Sequence, residues 1–270
     1  MKIAVLSDIH GNKVALDAVN SDIIKEKVDE IIFLGDYITD FSGYTNEILE
    51  YIKSNGNIII AGNREKYILN NTIANNFIQF ETINICQNEI SNKNKKWIST
   101  LQEKVSIRYK DNLSLYCVHG SPNSINEKIL EENNNLLKYY LENISENILV
   151  CGHTHIQWYK KINDKIVLNP GSVGVNFSGN KSAQYAIIES IKNDINIELK
   201  NVFYDFNELK RISNQKISWI TLSIRSMEDG IDYNMKFLEK AKEIYKEWPI
   251  SNKNWTEVYN NWIEGKVRLK

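Results

Sequence analysis

Short apolar segments that end at a glycine or a polar residue recur along the first 65 residues of this chain. Residues 3–6, 31–34 and 58–61 form three such segments, and the residues between them carry apolar side chains at helical spacing. An alternation of strands and helices predicts a parallel sheet with helical crossovers. Strands that are covered on both faces read as unbroken apolar runs, as these do. The N-terminal region therefore constrains the fold to the α/β class.

The pattern changes in the middle of the chain. Residues 66–101 read mainly as helix. Five further strands, the third and fourth forming a hairpin, are then predicted over residues 113–118, 148–151, 157–162, 165–168 and 184–188. Four of the six tryptophans lie near the end of the chain, at Trp219, Trp248, Trp255 and Trp262. Met235 and Leu238 share a helical period there, which predicts a helix. We therefore expect a helical C-terminal extension over residues 205–270, packed through its tryptophans on a domain formed by residues 1–204.

Composition and charge disfavour several classes of protein. Hydrophobic residues make up 42% of the 270 residues and the net charge is −1, which is typical of a globular chain with a sizeable core. Lysine and arginine are spread along the sequence, so a nucleic acid is disfavoured as a partner. No run approaches the ~20 apolar residues of a membrane span, and the N-terminal run is too short for a signal peptide. The three cysteines lack C-x-x-C spacing, which favours reduced thiols in the cytoplasm. We therefore expect a cytoplasmic protein without membrane contact. A homodimer is left open.

All four histidines occur where an apolar run gives way to glycine or small polar residues, as do two aspartates and one asparagine. These seven residues are Asp8, His10, Asp36, Asn63, His119, His153 and His155. Ligands bind beyond the carboxyl ends of strands in open α/β sheets, so we expect these side chains to converge. A single histidine at a strand end is more often a hydrogen-bonded surface or core residue, but the ordered set favours a metal site. Carboxylate, imidazole and amide donors suit Mn, Fe, Zn or Ni, and with one shared carboxylate they supply two ions.

The same residues fall in five sequence blocks that resemble, in order, those of the calcineurin-like metallophosphoesterase family. The blocks are Ser7-Asp8-Ile9-His10-Gly11-Asn12, Gly35-Asp36, Gly62-Asn63-Arg64-Glu65, His119-Gly120 and Gly152-His153-Thr154-His155. The chain looks closest to a bacterial and archaeal branch of small phosphodiesterases or dinucleoside-polyphosphatase-like proteins, which has a segment similar to residues 169–174. The resemblance covers residues 3 to about 190. It implies a four-layer α/β sandwich of two mixed β-sheets flanked by helices.

The resemblance also implies that these donors are shared between two divalent or mixed-valence transition metal ions. We expect Mn or Fe first, with Zn or Ni as alternatives. Asp8, His10, Asp36 and His155 would bind one ion, and Asp36, Asn63, His119 and His153 the other. A hydroxide that bridges the metals would attack phosphorus in line, without a covalent enzyme intermediate. The catalytic residues so implied are Asp36, Asn63 and His119, and we add Arg64, which stands next to Asn63, as a predicted catalytic residue.

Arg64 departs from the family pattern, which usually has histidine after the asparagine of the third block, or cysteine in some small members. A guanidinium stays charged and donates hydrogen bonds to phosphate, but it does not protonate a leaving oxygen. We therefore expect hydrolysis of a phosphodiester or of a nucleotide polyphosphate such as a dinucleoside tetraphosphate. The alternatives are a phosphomonoesterase or protein phosphatase, a nuclease, and a non-catalytic scaffold that retains the fold.

Several residues near these blocks admit two interpretations. Arg64 would contact substrate or form an ion pair with Glu65 or Asp40. Asn12 is interpreted first as a helix N-cap, and Ser172 either as a partner of backbone groups or as a site residue. Five aromatic residues would stack on a nucleobase or, more simply, pack in the core. They are Tyr37, Phe41, Tyr44, Trp158 and Phe177.

Overall fold

The computed structural model describes residues 1–70, 80–110, 112–192 and 194–244. The strands in these ranges are β1 (Lys2–Leu6), β2 (Glu30–Phe33), β3 (Ile58–Ile59), β4 (Lys104–Arg108), β5 (Ser114–Val118), β6 (Ile148–Val150), β7 (Gln157–Ile162), β8 (Lys165–Pro170), β9 (Ser182–Ile191) and β10 (Asp194–Phe203). The helices are α1 (Lys13–Glu26), α2 (Thr45–Asn55), α3 (Asn63–Leu69), α4 (Phe80–Glu89), α5 (Asn92–Ile98), α6 (Asn134–Glu142), α7 (Phe206–Ile212), α8 (Ser218–Asp229) and α9 (Tyr233–Ile244).

The strands form two sheets that each mix parallel and antiparallel neighbours. The first has the order β10-β9-β1-β2-β3, with β1, β2 and β3 parallel and β9 antiparallel to β1. The second has the order β4-β5-β6-β8-β7, with β5, β6 and β8 parallel between two antiparallel edge strands. The predicted pair of mixed sheets is confirmed. Strands β4 and β10, which lie at sheet edges, were missing from the sequence prediction.

Side-chain alternation along β1 shows how the layers stack. Ile3 and Val5 pack between the two sheets with residues such as Cys117 and Leu168. Ala4 and Leu6 point the other way and pack under the helices beside the first sheet. A third cluster, which contains the buried Cys151, lies between the second sheet and α6. These apolar layers give the helix-sheet-sheet-helix order that the family resemblance implied.

The C-terminal helices α7, α8 and α9 have an apolar cluster of their own. It contains Phe206, Trp219 and Phe237, and it also takes in Phe41 and Val175 from loops of the sandwich. The extension is therefore helical over its described part. Residues 245–270, with the predicted helix end at Pro249 and three of the four tryptophans noted above, lie outside the described residues. Within the described part of the chain, no helix is long and apolar enough to cross a membrane.

Candidate metal centre

All seven predicted donors lie just beyond the carboxyl ends of strands, in loops that meet at one edge of both sheets. Asp8 and His10 follow β1, Asp36 follows β2, Asn63 begins α3 after β3, His119 follows β5, and His153 and His155 follow β6. Five of these residues have a left-handed backbone, with φ of 56° at Asp8, 50° at His10, 56° at Asp36, 66° at His153 and 59° at His155. Residues other than glycine rarely adopt this conformation, and strain of this kind concentrates at functional sites.

The donors form two groups, within each of which the ligand atoms lie within 4.8 Å of one another. Group one is Asp8, His10 and His155, and group two is Asp36, His119 and His153. In group one, Asp8 Oδ1 lies 3.3 Å from His155 Nε2, and the Nε2 atoms of His10 and His155 are 3.0 Å apart. In group two, Asp36 Oδ2 lies 3.4 Å from His119 Nε2. The amide oxygen of Asn63 lies 3.0 Å from that same nitrogen, which places it beside group two.

Asp36 connects the two groups. Its Oδ2 lies 3.9 Å from His10 Nε2 of group one as well as 3.4 Å from His119 Nε2. Its Oδ1 accepts a hydrogen bond from the backbone N–H of Arg64 at 2.8 Å. A Cβ at Gly62 would stand 2.2 Å from that oxygen, so the loop requires glycine there. The local backbone thus fixes one carboxylate between two sets of imidazoles.

Hydrogen bonds around the groups leave the inward-facing atoms available to a cation. Asp8 Oδ2 accepts from Ser7 Oγ at 2.6 Å and from the backbone N–H of His153 at 3.0 Å, while Asp8 Oδ1 is buried without a partner among the described residues. Because carbonyl oxygens only accept, Nδ1 of His119 donates to Leu34 O at 2.8 Å and Nδ1 of His155 donates to Val175 O. Once Nε2 has lost its proton, both imidazoles would present that nitrogen to a cation, which is how metal-binding histidines are held.

Residues that are not themselves predicted donors hold the donor loops in place. The buried Glu65 carboxylate accepts from the backbone N–H groups of Asp36, Tyr37 and Gly62 at 2.8 to 2.9 Å. Ser172 Oγ donates to the carbonyl of Asp8 at 2.8 Å, so Ser172 contacts backbone. Asn12 Oδ1 accepts from the N–H of Ala15, which confirms the predicted N-cap of α1.

Charges inside the centre oppose the effect of burial. Burial is the largest single influence and would raise the pKa of Asp36, but the charge of His119, its hydrogen bond and the charge of His10 together lower that pKa below its ordinary value of 3.8. Burial would lower the pKa of His119, yet the Asp36 carboxylate raises it to about 9. Burial and then the charge of His119 lower the pKa of His153 to about 4. A proton on His119 therefore balances Asp36, and a cation would take over that role when it displaces the proton.

Both groups open into a cavity of about 300 Å³. Metal-centre residues and Arg64 line one side, and Trp219, Ser223, Asn234, Met235 and Leu238 of α8 and α9 line the other. The guanidinium of Arg64 approaches both sides of this cavity. Its Nη2 lies 3.6 Å from Asp40 Oδ1, and its Cζ lies 5.7 Å from the ring centre of Trp219. The ion pair with Asp40, one of the alternatives that the sequence left open for Arg64, is therefore present at a position that also faces the cavity.

Of the five aromatic residues in the sequence prediction, Tyr44 is exposed at the N-terminus of α2, and the other four separate into two sets. Tyr37, Phe41 and Trp158 are buried in apolar clusters. Phe177 lines the cavity and stacks on His155, with ring centres 5.1 Å apart. Sequence reasoning did not place Trp219 or Met235 at the site. The concentration of tryptophans after residue 205 indicated only that this region packs on the preceding domain.

Comparison with known proteins places this fold and site in one family. Residues 1–193 match the sequence profile of the calcineurin-like phosphoesterase superfamily domain. The chain belongs to this superfamily and is a metal-dependent phosphoester hydrolase.

Similar proteins share most of the chain. An uncharacterised protein of Methanocaldococcus jannaschii is 28% identical over 239 residues, which are 81% of this chain and 95% of that protein. The crystal structure of a metallophosphoesterase from Sphaerobacter thermophilus superposes with a TM-score of 0.69 at 21% identity, over 86% of this chain and all of the other. That of a hypothetical protein from Pyrococcus horikoshii OT3 gives 0.73 at 19% identity, over 82% and 97% of the two chains. At these identities the structures support the fold.

Proposed function

We propose that this chain uses two transition metal ions to hydrolyse a phosphodiester or a nucleotide polyphosphate such as a dinucleoside tetraphosphate. The observation that carries the proposal is the position of Asp36, whose Oδ2 lies within 3.9 Å of imidazole nitrogens from both donor groups. A carboxylate in that position suits a bridge between two cations. Mn or Fe fits the oxygen and nitrogen donors, with Zn or Ni as the next choices.

The ligand assignment follows the two groups. Asp8, His10, Asp36 and His155 would hold one ion, and Asp36, Asn63, His119 and His153 the other. When bound, the two cations lower the pKa of the attacking water and neutralise charge on the transition state. The unpartnered Asp8 Oδ1 supports this assignment, because a bound cation would satisfy a buried oxygen that the described residues leave unpaired.

Arg64 has a separate role in the proposal. Its guanidinium faces the cavity and donates hydrogen bonds to phosphate oxygens, with Asp40 holding it in place. In the reaction an oxygen–phosphorus bond forms from water and the bond to the leaving oxygen breaks. Because a guanidinium does not give up its proton, the leaving oxygen must depart as a stable anion or take its proton from water. This favours anhydrides and esters of acidic alcohols.

The wall formed by α8 and α9 favours small substrates over protein substrates. A cavity of about 300 Å³ is at the lower end of the range for small-molecule sites, which is roughly 300–1,000 Å³. The net charge of −1 supplies no cation excess for gripping a nucleic acid strand. The proposal therefore includes a phosphoesterase domain over residues 1–204, an extension over residues 205–270 that borders the cleft, and a cytoplasmic location.

The test is a screen of the metal-reconstituted protein over a phosphodiester, a phosphomonoester and a dinucleoside tetraphosphate. Asp36→Asn and His119→Ala are each expected to lower kcat by more than about 100-fold, since changing even the partners of metal ligands costs about 10–100-fold. Asp22→Asn, at a carboxylate that accepts from Tyr185 on the outside of the sheet, is the matched control and should keep full activity. Unchanged metal content and rate in Asp36→Asn would refute the proposal. Equal turnover of diester and monoester would remove the diester preference alone.

A further inference from the structure

One side of the cavity carries hydrogen-bond donors that the proposed metal centre does not use. Besides Arg64, the lining includes the side chains of Tyr67, Asn126 and Lys128. Tyr67 lies on α3, one helical turn after Arg64, and the other two lie in the loop between β5 and α6. Phenol, amide and ammonium groups all donate to oxygen acceptors such as those of phosphate. This side of the cavity therefore has the chemistry of an anion site.

A hydrogen bond orients the amide of Asn126. The Tyr67 hydroxyl donates to Asn126 Oδ1 at 3.1 Å, which occupies the acceptor of that amide. Asn126 is an exposed residue that lines the cavity, and its Nδ2 has no acceptor among the described residues. Lys128 is exposed as well, and its ammonium makes no ion pair or hydrogen bond within the described part of the chain. Both donors are therefore available to the oxygens of a ligand.

The loop that carries Asn126 and Lys128 is anchored on the side away from the cavity. Glu127 lies between them in sequence, and its carboxylate accepts from Ser121 Oγ and from the hydroxyl of Tyr140 on α6. Ser121 Oγ also accepts from two backbone N–H groups of the same loop at 3.1 Å. Because these hydroxyl groups engage the Glu127 carboxylate, it does not neutralise the neighbouring ammonium. The loop thus presents its donors to the cavity and its acid to the protein.

The opposite side of the cavity does not suit an anion. Its α9 part is mainly apolar, and its carboxylate is that of Asp232, whose Oδ1 accepts from the backbone N–H of Met235 at 2.9 Å. The Asp40 carboxylate, which also lines the cavity, already has a cation 3.6 Å away in Arg64 Nη2. An anionic group that extends from the metal centre is therefore repelled by Asp232 and attracted toward the loop between β5 and α6.

Arg64 connects this side of the cavity to the metal centre. Its Nε lies 3.8 Å from Asp36 Oδ2, and Tyr67, the partner of Asn126, follows it on the same face of α3. Lysine carries its charge on a long flexible stem, so the Lys128 ammonium adjusts to an anion held beside these groups. Donors thus continue from the metal centre along one side of the cavity.

We propose that Asn126 and Lys128, together with Arg64, form a second anion subsite that binds the phosphate next to the one held at the metal centre. The bond that is cleaved is then a phosphoanhydride. Water forms the new bond to phosphorus and gives a proton to solvent, the anhydride bond breaks, and the second phosphate leaves with the bridging oxygen and its electron pair. This inference rests on the proposed function and deepens it, because it selects the anhydride over the diester.

Calorimetric binding of two inorganic probes to the manganese-loaded protein tests the subsite without turnover. Orthophosphate has one phosphate group, and imidodiphosphate has two that are joined by a nitrogen, which resists hydrolysis. Both are titrated with the same free Mn²⁺ concentration in the cell and in the syringe, so that the probes do not strip the protein. We expect imidodiphosphate to bind about tenfold or more tightly than orthophosphate. The ratio of the two affinities is the quantity to compare between variants.

Lys128→Gln removes the charge and keeps most of the length of the side chain. It should weaken imidodiphosphate binding by about fivefold to tenfold and leave orthophosphate binding within about twofold of the wild type. Lys104→Gln is the matched control. Lys104 is also exposed, and its ammonium donates to Pro122 O at 3.3 Å in the same loop, but it does not line the cavity. This variant makes the same change of net charge and should keep the wild-type ratio.

Asn126→Asp gives a second, independent variant. An aspartate keeps the acceptor for the Tyr67 hydroxyl and nearly the same shape, but it replaces the N–H donors with a negatively charged oxygen. Imidodiphosphate binding should fall by about tenfold or more, and by more than orthophosphate binding. Asn123→Asp, at an exposed position of the same loop that does not line the cavity, is its control and should keep the wild-type ratio.

The outcomes separate this inference from the proposed function. Equal affinity of the wild type for the two probes, or an unchanged ratio in Lys128→Gln, would overturn the subsite and leave phosphoester hydrolysis intact. A loss of the same size in Lys104→Gln would also overturn it, because the effect would then come from net charge. Absence of hydrolysis together with a ratio that depends on Lys128 would instead remove the proposed function and leave a cavity that binds two linked phosphates.

Discussion

Two groups of charged side chains in this molecule differ in how their charges are paired. In the first, which we call the α1 ion cluster (Lys2, Glu26 and Lys200), the two ammonium groups lie 2.5 and 2.6 Å from the two oxygens of Glu26. In the candidate metal centre, Asp8 Oδ1 lies 3.3 Å from the nearest imidazole nitrogen and has no hydrogen-bond partner among the described residues. The α1 ion cluster balances its charges within the chain, whereas the metal centre leaves the buried Asp8 Oδ1 without a hydrogen bond among the described residues.

This comparison identifies the metal centre as a region whose arrangement lowers the stability of the folded chain. An unpaired buried oxygen and a left-handed backbone at non-glycine residues both destabilise the folded state. Both occur in the metal centre, where Asp8 Oδ1 is the unpaired oxygen and five of the seven proposed ligands have the left-handed backbone. We therefore expect the stability of the metal centre to depend on bound metal, and that of the α1 ion cluster to depend on pH and salt.

Removal of metal is expected to have the largest effect. A cation that binds the folded chain alone stabilises it by about 2.7 kcal/mol per site at a concentration of 100 times Kd. For a domain of this size, loss of one such site lowers Tm by roughly 5–10 °C. Calorimetry of metal-loaded and chelator-treated protein measures the change, and Glu26→Gln is the control that should show the same metal-dependent shift. Equal Tm values with and without metal would contradict the comparison.

Substitution of Glu65 is expected to have an intermediate effect on stability. Its carboxylate accepts three backbone N–H groups, and glutamine would place an amide donor against them. Leaving buried donors unpaired costs about 1–3 kcal/mol, which urea unfolding of Glu65→Gln would measure. Metal affinity should fall as well, because the loops that carry Asp36 and Asn63 lose their common anchor. A variant with wild-type stability and metal affinity would show that these hydrogen bonds do not position the ligands.

The smallest effect is expected in the α1 ion cluster. The hydrogen bond from Lys2, followed by that from Lys200, lowers the pKa of Glu26 from 4.5 to about 2. The stabilisation is therefore fully present above pH 4.5 and is lost as the pH falls toward 2. Because the cluster is partly solvated, Glu26→Gln should cost at most about 1 kcal/mol at pH 7, and less at pH 3 or in high salt. A loss that stays constant between pH 7 and pH 3 would show that charge is not its cause.

The residue pattern predicted the alternating strands and helices and the loops of the metal centre because their signals are local, whereas the sandwich was implied by the family resemblance. The apolar runs over residues 3–6 and 31–34 end two residues before Asp8 and Asp36. Strand β4 was not predicted, because its residues are half-buried or exposed and carry no continuous apolar signal. The left-handed backbone at His153 is fixed by the surrounding loops, and no glycine marks it.

The cavity wall escaped prediction for a different reason. Trp219 and Met235 lie more than 150 residues from Arg64 in sequence, and their contact with the site depends on how α8 and α9 dock. Helical spacing predicts that a helix has an apolar face, but it does not identify the surface that the face covers. The pairing of Arg64 with Asp40 was an open alternative for the same reason, since only the folded loops bring the two side chains together.

The most direct test of the metal centre is a crystal structure of the Mn-loaded protein with anomalous scattering. We expect two peaks roughly 3.5–4 Å apart, one contacting Asp8, His10 and His155 and the other contacting His119 and His153, with Asp36 between them. A single peak, or peaks remote from Asp36, would contradict the proposed two-metal centre.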